Sequence, residues 1–310
     1  MGRLTLAARP RDQNVFLPWD HRGVRHVYEC PMRWADMDQL AHINNVTYFD
    51  YLQEARVDFG RHIGLAATSD VGLVVARSEL QFRAPLTFRH SPVKVAVTVT
   101  DVRAASFTLG YEIFDETPDG PVVYATAHTV LTPYVFGEER IRRLTPEERA
   151  SLQPYVVADA DPMPAFVGVP VPRRPENHYA VHVRFSDIDG YGHVNNIRYV
   201  EYLQEARIAL ISRLFREVPG RRGRVAMVVA SIDIEYKRQL TIAPEPYDAH
   251  TRVTDVGRSS MVLVTDVLDR DGSIAARGRV VLVFFDPETQ RSTPPPEDIR
   301  EIVLQAAAEL

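Results

Sequence analysis

The sequence predicts an α+β protein made of two tandem copies of one unit, each an antiparallel sheet wrapped around a single central helix. Three observations carry this prediction: a long internal repeat, one amphipathic helical segment in each copy, and four β-branched alternating runs after each helix. Residues 33–56 and residues 184–207 align without a gap at an offset of 151, and 13 of the 24 positions are identical. The similarity resumes at 75–86 and 229–240 with three residues of drift, as loop length changes would produce. A fixed internal period means that one supersecondary unit is used twice. At 310 residues the chain has the length of two ordinary domains, since a single core seldom grows past ~250 residues.

Within each copy the elements follow in the same order. A short strand around 27–34, or 180–185, leads into a polar loop that ends in Asn-Asn. Asn44 or Asn45 suits a helix N-cap, and Val46, Phe49, Leu52, Ala55 and Phe59 then recur at helical spacing. The second copy repeats the stripe with Ile197, Val200, Leu203, Ala206, Leu210 and Leu214. Strands are expected at 73–82, 93–102, 106–114 and 122–135, and at 225–236, 247–256, 260–268 and 274–285. Asp119-Gly120 and Asp271-Gly272 separate the last two strands of each copy and are strong hairpin turns. Thr145-Pro146-Glu147-Glu148 starts a short helix with a Thr cap and Pro at its first position, and Thr293-Pro294-Pro295-Pro296-Glu297-Asp298 repeats this near the end. Six prolines between Pro154 and Pro175 mark an extended linker. The expected domains are therefore 24–153 and 178–310, with the linker at 154–177. A lone unit would leave its sheet edges open, so the two copies are expected to pair as an intramolecular pseudo-dimer, and outer edges make a homo-oligomer of the chain plausible.

Composition excludes several classes of function. With 45% hydrophobic and 25% charged residues the chain matches an average soluble protein. No run approaches the ~18 apolar residues of a spanning helix, and residues 1–20 lack the apolar core of a signal peptide, so the expectation is a cytoplasmic protein with no membrane partner. A single cysteine, Cys30, rules out an internal disulfide and a cysteine-ligated metal centre. A net charge of −5 with mixed signs offers no basic face for nucleic acid. Only Lys94 and Lys237 are lysines among 36 basic residues, a bias that fits a GC-rich bacterial genome.

Both copies retain Asp-x-Asp-x-x-x-His-x-Asn-Asn-x-x-Tyr while neighbouring residues vary. The residues are Asp36, Asp38, His42, Asn44, Asn45 and Tyr48 in the first copy, and Asp187, Asp189, His193, Asn195, Asn196 and Tyr199 in the second. The pattern brings carboxylates and an imidazole to a helix start, where unpaired N–H groups favour negative charge. A thioester carbonyl placed there would develop its charge on those amides, and one such donor is typically worth ~3–4 kcal/mol. A neighbouring carboxylate is then able to attack or to activate water.

The second motif, DIDGYGHVNNIRYVEYLQEAR, resembles the signature of bacterial acyl-CoA thioesterases of the 4-hydroxybenzoyl-CoA thioesterase-like branch of the hotdog superfamily. The segments SELQFRAPL and ARGRVVLVFFDPETQR resemble later strands of the same family, so the likeness spans nearly all of both units. It implies catalytic carboxylates at Asp38 and Asp189, backbone amides of Asn45 and Asn196 on the thioester carbonyl, and active sites lying between two hotdog units. The implied reaction is hydrolysis of an acyl-CoA to a carboxylic acid and CoA, without a cofactor or metal. A second resemblance is to plant-type acyl-ACP thioesterases, but Leu40 and Tyr191 replace that family's middle Asn. The motif is also compatible with a hotdog enoyl-CoA hydratase and with a non-catalytic acyl-CoA-binding protein.

Each candidate also has a structural reading. His42 and His193 act either in catalysis or by fixing the turn. Asp36 and Asp187 are expected to brace the loop. Asn44, Asn45, Asn195 and Asn196 are substrate-binding candidates whose side chains serve as caps. Tyr48, Tyr51, Tyr199 and Tyr202 are read as helix packing, and Glu54 with Arg56, and Glu205 with Arg207, as structural ion pairs. Surface residues Arg77, Arg83 and Lys237 are candidates for the CoA phosphates. Gly190-Tyr191-Gly192 replaces Gln39-Leu40-Ala41, which points to the second loop as the more active one.

Overall fold

The computed structural model describes residues 24–39, 41–65, 70–216, 218, 226–286, 288–289 and 291–309, and the chain divides after Pro164 into two units. Residues 1–20, Leu40 and Val225, all invoked above, lie outside the described residues. The first unit contains β1 (His26–Cys30), α1 (Thr47–His62), β2 (Val71–Phe82), β3 (Val93–Val102), β4 (Phe107–Thr117), β5 (Gly120–Val135), β6 (Arg140–Ile141) and α2 (Pro146–Leu152). Its antiparallel sheet runs β1-β3-β4-β5-β2, with β6 added to β5. The second unit contains β7 (His178–Val181), α3 (Asn196–Leu214), β8 (Ala226–Tyr236), β9 (Tyr247–Val256), β10 (Ser260–Leu268), β11 (Ile274–Asp286), β12 (Arg291–Ser292) and α4 (Glu297–Glu309). Its sheet repeats the order as β7-β9-β10-β11-β8, with β12 on β11. The chain is thus a pair of tandem hotdog domains.

The apolar stripe explains why each helix lies inside its sheet. Val46, Phe49, Leu52, Ala55 and Phe59 are all buried, as are Ile197, Val200, Leu203, Ala206 and Leu210. The facing strand residues include Leu80, Val95, Val97 and Leu109 in the first unit and Ile232, Val253 and Leu263 in the second. Burying five such helix side chains contributes on the order of 10 kcal/mol before the entropy of ordering them is subtracted. The sheets bend to receive the helices through bulges at repeated positions. Register slips between Val75 and Arg77 in β2, and opposite Val281 and Leu282 in β8, while a second pair of slips falls at Val99/Asp101 and at Val262/Leu263. An extra residue in one strand raises local twist and bends it, which is how an antiparallel sheet wraps a cylinder.

The first strand of each copy is shorter than its sequence suggests. After Cys30 and Val181 the chain leaves the sheet and makes a 3-10 turn at Trp34–Asp36 and at Phe185–Asp187. The reason is local: the Asp36 and Asp187 carboxylates accept the amides of Arg33 and Arg184, three residues earlier, at 2.7 and 2.8 Å. The terminal helices also differ between copies. α2 has the expected Thr145/Glu148 capping box and stops before Pro154, whereas α4 runs longer and buries Ile299, Val303 and Ala306 against its unit. Both ends of the proline-rich segment are fastened: Val157 N donates to Val99 O at 2.9 Å, and Asn177 accepts the Arg174 amide while facing His250. No helix among the described residues is long and apolar enough to cross a membrane.

Gly278 of β11 is where the second helix approaches its sheet most closely, because a Cβ there would overlap Leu203 Cδ1. By strand register Ala127 holds the equivalent place in the first unit, opposite Tyr111 as Gly278 is opposite Thr265. The substitution G278A, which installs the residue the first unit uses, is expected to lower stability by about 1–3 kcal/mol through overpacking. Denaturant unfolding measures it, and an unchanged midpoint would show that α3 has slack.

Candidate active site

Each motif folds into a miniature hairpin that delivers the chain to the helix start. Met37 bridges Ile43 and Ile188 bridges Val194 across the turn. Inside it, Asp38 N donates to His42 O at 2.7 Å and Ala41 N to Asp38 O at 3.1 Å; the second copy repeats these bonds at 2.8 and 3.1 Å through Asp189, His193 and Gly192. The second aspartate also turns its carboxylate inward. Asp38 Oδ1 accepts His42 N at 3.1 Å, and Asp189 Oδ1 accepts Tyr191 N at 2.9 Å and His193 N at 3.4 Å. These bonds fix the carboxylate's direction through one oxygen. Among the described residues, Asp189 Oδ2 has no donor.

The residue after the aspartyl and glycyl turn must adopt a left-handed backbone. Gly192 does so at φ +83°, but the first copy places Ala41 there at φ +59°. An alanine in this region carries about 1 kcal/mol of strain that a glycine avoids. The change A41G is therefore expected to stabilise the first unit by up to ~1 kcal/mol, read as a higher unfolding midpoint.

Three further ties lock the hairpin to the helix. Asp36 O and Asp187 O accept Asn44 N and Asn195 N, both at 2.8 Å. Ile43 N and Val194 N donate to Leu86 O and Leu240 O, again at 2.8 Å. Tyr51 and Tyr202 donate their hydroxyls to the Asp36 and Asp187 carboxylates at 2.7 and 2.8 Å. Burial, followed by the partner carboxylate, pushes both phenols far above the usual tyrosine range, so they remain donors. Tyr199 is pushed up by burial as well; its hydroxyl accepts Leu240 N at 2.8 Å and donates to Arg238 O at 3.2 Å, holding the neighbouring loop. These tyrosines hold loops by hydrogen bonds as well as packing. The signal lay in the repeated spacing of 15 residues between each aspartate and its tyrosine.

Asn44 and Asn195 are the caps. Their side-chain oxygens accept Val46 N and Ile197 N at 2.9 and 3.0 Å, and their carbonyls accept Thr47 N and Arg198 N at 3.0 and 2.9 Å. The amide between each pair, on Asn45 and on Asn196, has no acceptor among the described residues. Two buried side-chain atoms beside these loops also have none among the described residues: Asn45 Nδ2 and His193 Nδ1. Asp38, His42, Asn44 and Asn45, and their counterparts Asp189, His193, Asn195 and Asn196, are therefore gathered within one turn at one helix start in each unit.

Other expected roles do not hold. Glu54 and Glu205 are exposed, whereas Arg56 lies beside the buried Tyr111 hydroxyl and Arg207 is buried with no acceptor among the described residues. Residues two apart on a helix face different ways, so neither pair forms. Arg83 is half-buried and donates to Gln81 at 2.8 Å, and Lys237 is paired with Glu235 at 3.0 Å, so neither is a free surface cation. No group of three His, Cys, Asp or Glu side chains suited to a metal occurs among the described residues.

Two antiparallel units, each with one helix whose first turn carries a carboxylate, a histidine and an open amide, define a tandem hotdog hydrolase. The chain belongs to the thioesterase-like superfamily, whose family model matches residues 32–168 and again 183–303. It is similar to the long-chain acyl-CoA thioesterase FadM of Escherichia coli (strain K12), 29% identical over 129 residues, which is 40% of this chain and 95% of FadM. The fold is also that of a protein assigned as an oleoyl thioesterase from Lactobacillus plantarum, with TM-score 0.69 and 17% identity over 86% of this chain and 98% of that one. The 12:0-ACP thioesterase of Umbellularia californica shares it at TM-score 0.63 and 15% identity, over 84% and 94% of the two chains. The protein is a thioester hydrolase.

The buried Asp187 carboxylate has its donors on both sides, so Y202F should leave it short of one. The expected cost is about 1–3 kcal/mol of stability together with a lower kcat in thiol release. Unchanged values of both would mean that the tyrosine is only packing.

Proposed function

We propose that the chain hydrolyses acyl-CoA thioesters to free carboxylic acids and CoA, in the cytoplasm, with Asp38 and Asp189 as the catalytic carboxylates. The observation that carries this reading is the amide of Asn45 and of Asn196, left open while the amides on both sides are satisfied. A thioester oxygen seated there meets an N–H fixed in advance at the positive end of a helix. The carboxylate takes a proton from water as the water oxygen adds to the carbonyl carbon. The resulting oxyanion rests on the open amide. Collapse of the tetrahedral species breaks the carbon–sulfur bond, and the departing thiolate takes up the proton. His42 and His193 sit at the other end of the turn from their aspartates and orient the water or the thioester sulfur. Asn44 and Asn195 hold the helix start in register with the substrate.

The likeness to FadM favours CoA as the carrier, while the acyl-ACP thioesterase of similar fold is the competing reading. Turnover of acyl-CoA and acyl-ACP sharing one acyl group separates them. Thiol release from a panel of acyl-CoAs is expected to fall by about 10²-fold or more in the folded D38A/D189A double variant. Retention of full rate would remove both aspartates from the mechanism. Of the single variants, D189A is expected to lose more rate than D38A, because the second loop has glycine at its left-handed position and a fully buried Asp187.

A further inference from the structure

The two loops share their chemistry but differ at their rims. In the first unit, Trp34 opens the 3-10 turn with its indole 74% exposed and meets the Phe88 ring edge-on, with centroids 5.7 Å apart. Phe88 in turn meets His90 at 5.3 Å, so three rings form a row. The row stands beside the site because His42 bridges Thr87 and Ile43 N donates to Leu86 O. At its other end Trp34 is two residues from Asp36, whose carbonyl is 2.8 Å from Asn44 N. Two residues span at most ~7 Å, which puts the indole within reach of a flexible pantetheine arm whose thioester lies on the Asn45 amide.

The surrounding charge is basic. Arg33 and His90 are exposed and have no carboxylate partner among the described residues. Arg89 donates to Asp115, which also takes the Tyr124 hydroxyl, so the nearby carboxylate is occupied on both oxygens. The second unit has none of this. Phe185 is 86% exposed without a ring partner among the described residues, and the counterparts of Phe88, Arg89 and His90 are Ile242, Ala243 and Pro244, followed by the acidic Glu245.

We infer that the first unit's rim binds the adenine nucleotide end of CoA, with the base stacked on Trp34 and the phosphates facing Arg33, Arg89 and His90. An exposed aromatic face stacks with any base, and flanking cations supply attraction for phosphate. A plain hydrophobic interface would not need the cations. The inference rests on the proposed acyl-CoA activity for its kinetic arm only.

Trp19 and Trp34 are the two tryptophans of the chain, so in W19F all indole emission comes from Trp34. Titration with adenosine 3′,5′-bisphosphate is expected to quench that emission saturably, and the R33E/H90E change to weaken the apparent Kd by about 10-fold or more. Absence of quenching overturns the proposal. So does an emission change that follows protein concentration instead of nucleotide, which would mark the rim as a contact between copies of the chain. In the kinetic arm, W34A is expected to raise KM for an acyl-CoA about 10-fold relative to KM for the N-acetylcysteamine thioester of the same acid, which lacks the nucleotide. F185A should change that ratio less than about 2-fold. An unmoved ratio in W34A also overturns the proposal. If neither thioester is hydrolysed, the catalytic reading fails while the fluorescence titration still decides the rim.

Discussion

The site in each unit depends on one carboxylate that need not touch substrate. Asp36 and Asp187 take an amide from three residues upstream and a tyrosine hydroxyl from the body of the helix, while their own carbonyl oxygens receive the first asparagine of the Asn-Asn pair. Four segments are thereby pinned through a single residue. A helix start ordinarily leaves four amides without partners, and water or side chains take them in no fixed arrangement. Here the pinned asparagine satisfies two of those amides and leaves one pointing outward at a place set by the aspartate. Catalytic geometry of this sort needs sub-ångström definition, and it comes from hydrogen bonds to backbone, which do not relax as a long side chain would.

Burial of the helix supplies the rigidity behind that arrangement. The stripe from Val46 to Phe59 and its counterpart in α3 bind each helix to strands that curve at repeated bulges. Since the apolar face is continuous down the helix, the first turn cannot tilt without opening the core. In the second unit the fit is tighter still, with Leu203 set against bare backbone at Gly278.

Much of this was legible in the sequence, because period and repetition are strong signals. The gapless repeat, the helical stripes and the strand runs of both copies all appear in the structure, several with the same termini. The motif residues at each helix start were readable as a group, since they recur in fixed register. What escaped the sequence was set by tertiary context. The first strands end early because a side-chain carboxylate competes for the backbone, and β6 and β12 are too short to have a periodicity. Tyr51 and Tyr202 read as packing residues because their partners lie across the fold. Glu54 and Glu205 looked like mates for Arg56 and Arg207 by proximity in sequence, although helix geometry turns them apart. The rim of Trp34, Phe88 and His90 draws on two segments 54 residues apart, and nothing in either segment announces the other.

Carrying both loops on one polypeptide changes what mutation can do to them. In an assembly of identical single units, every substitution appears in all sites together, and a harmful change in one cannot be sheltered by another. Here Ala41 tolerates a left-handed backbone that its sister position gives to Gly192, and the two rims have diverged in aromaticity and charge. One loop is free to drift while the other keeps the organism supplied with activity, so a duplicated chain of this kind can try a new carrier or acyl preference without first losing the old one.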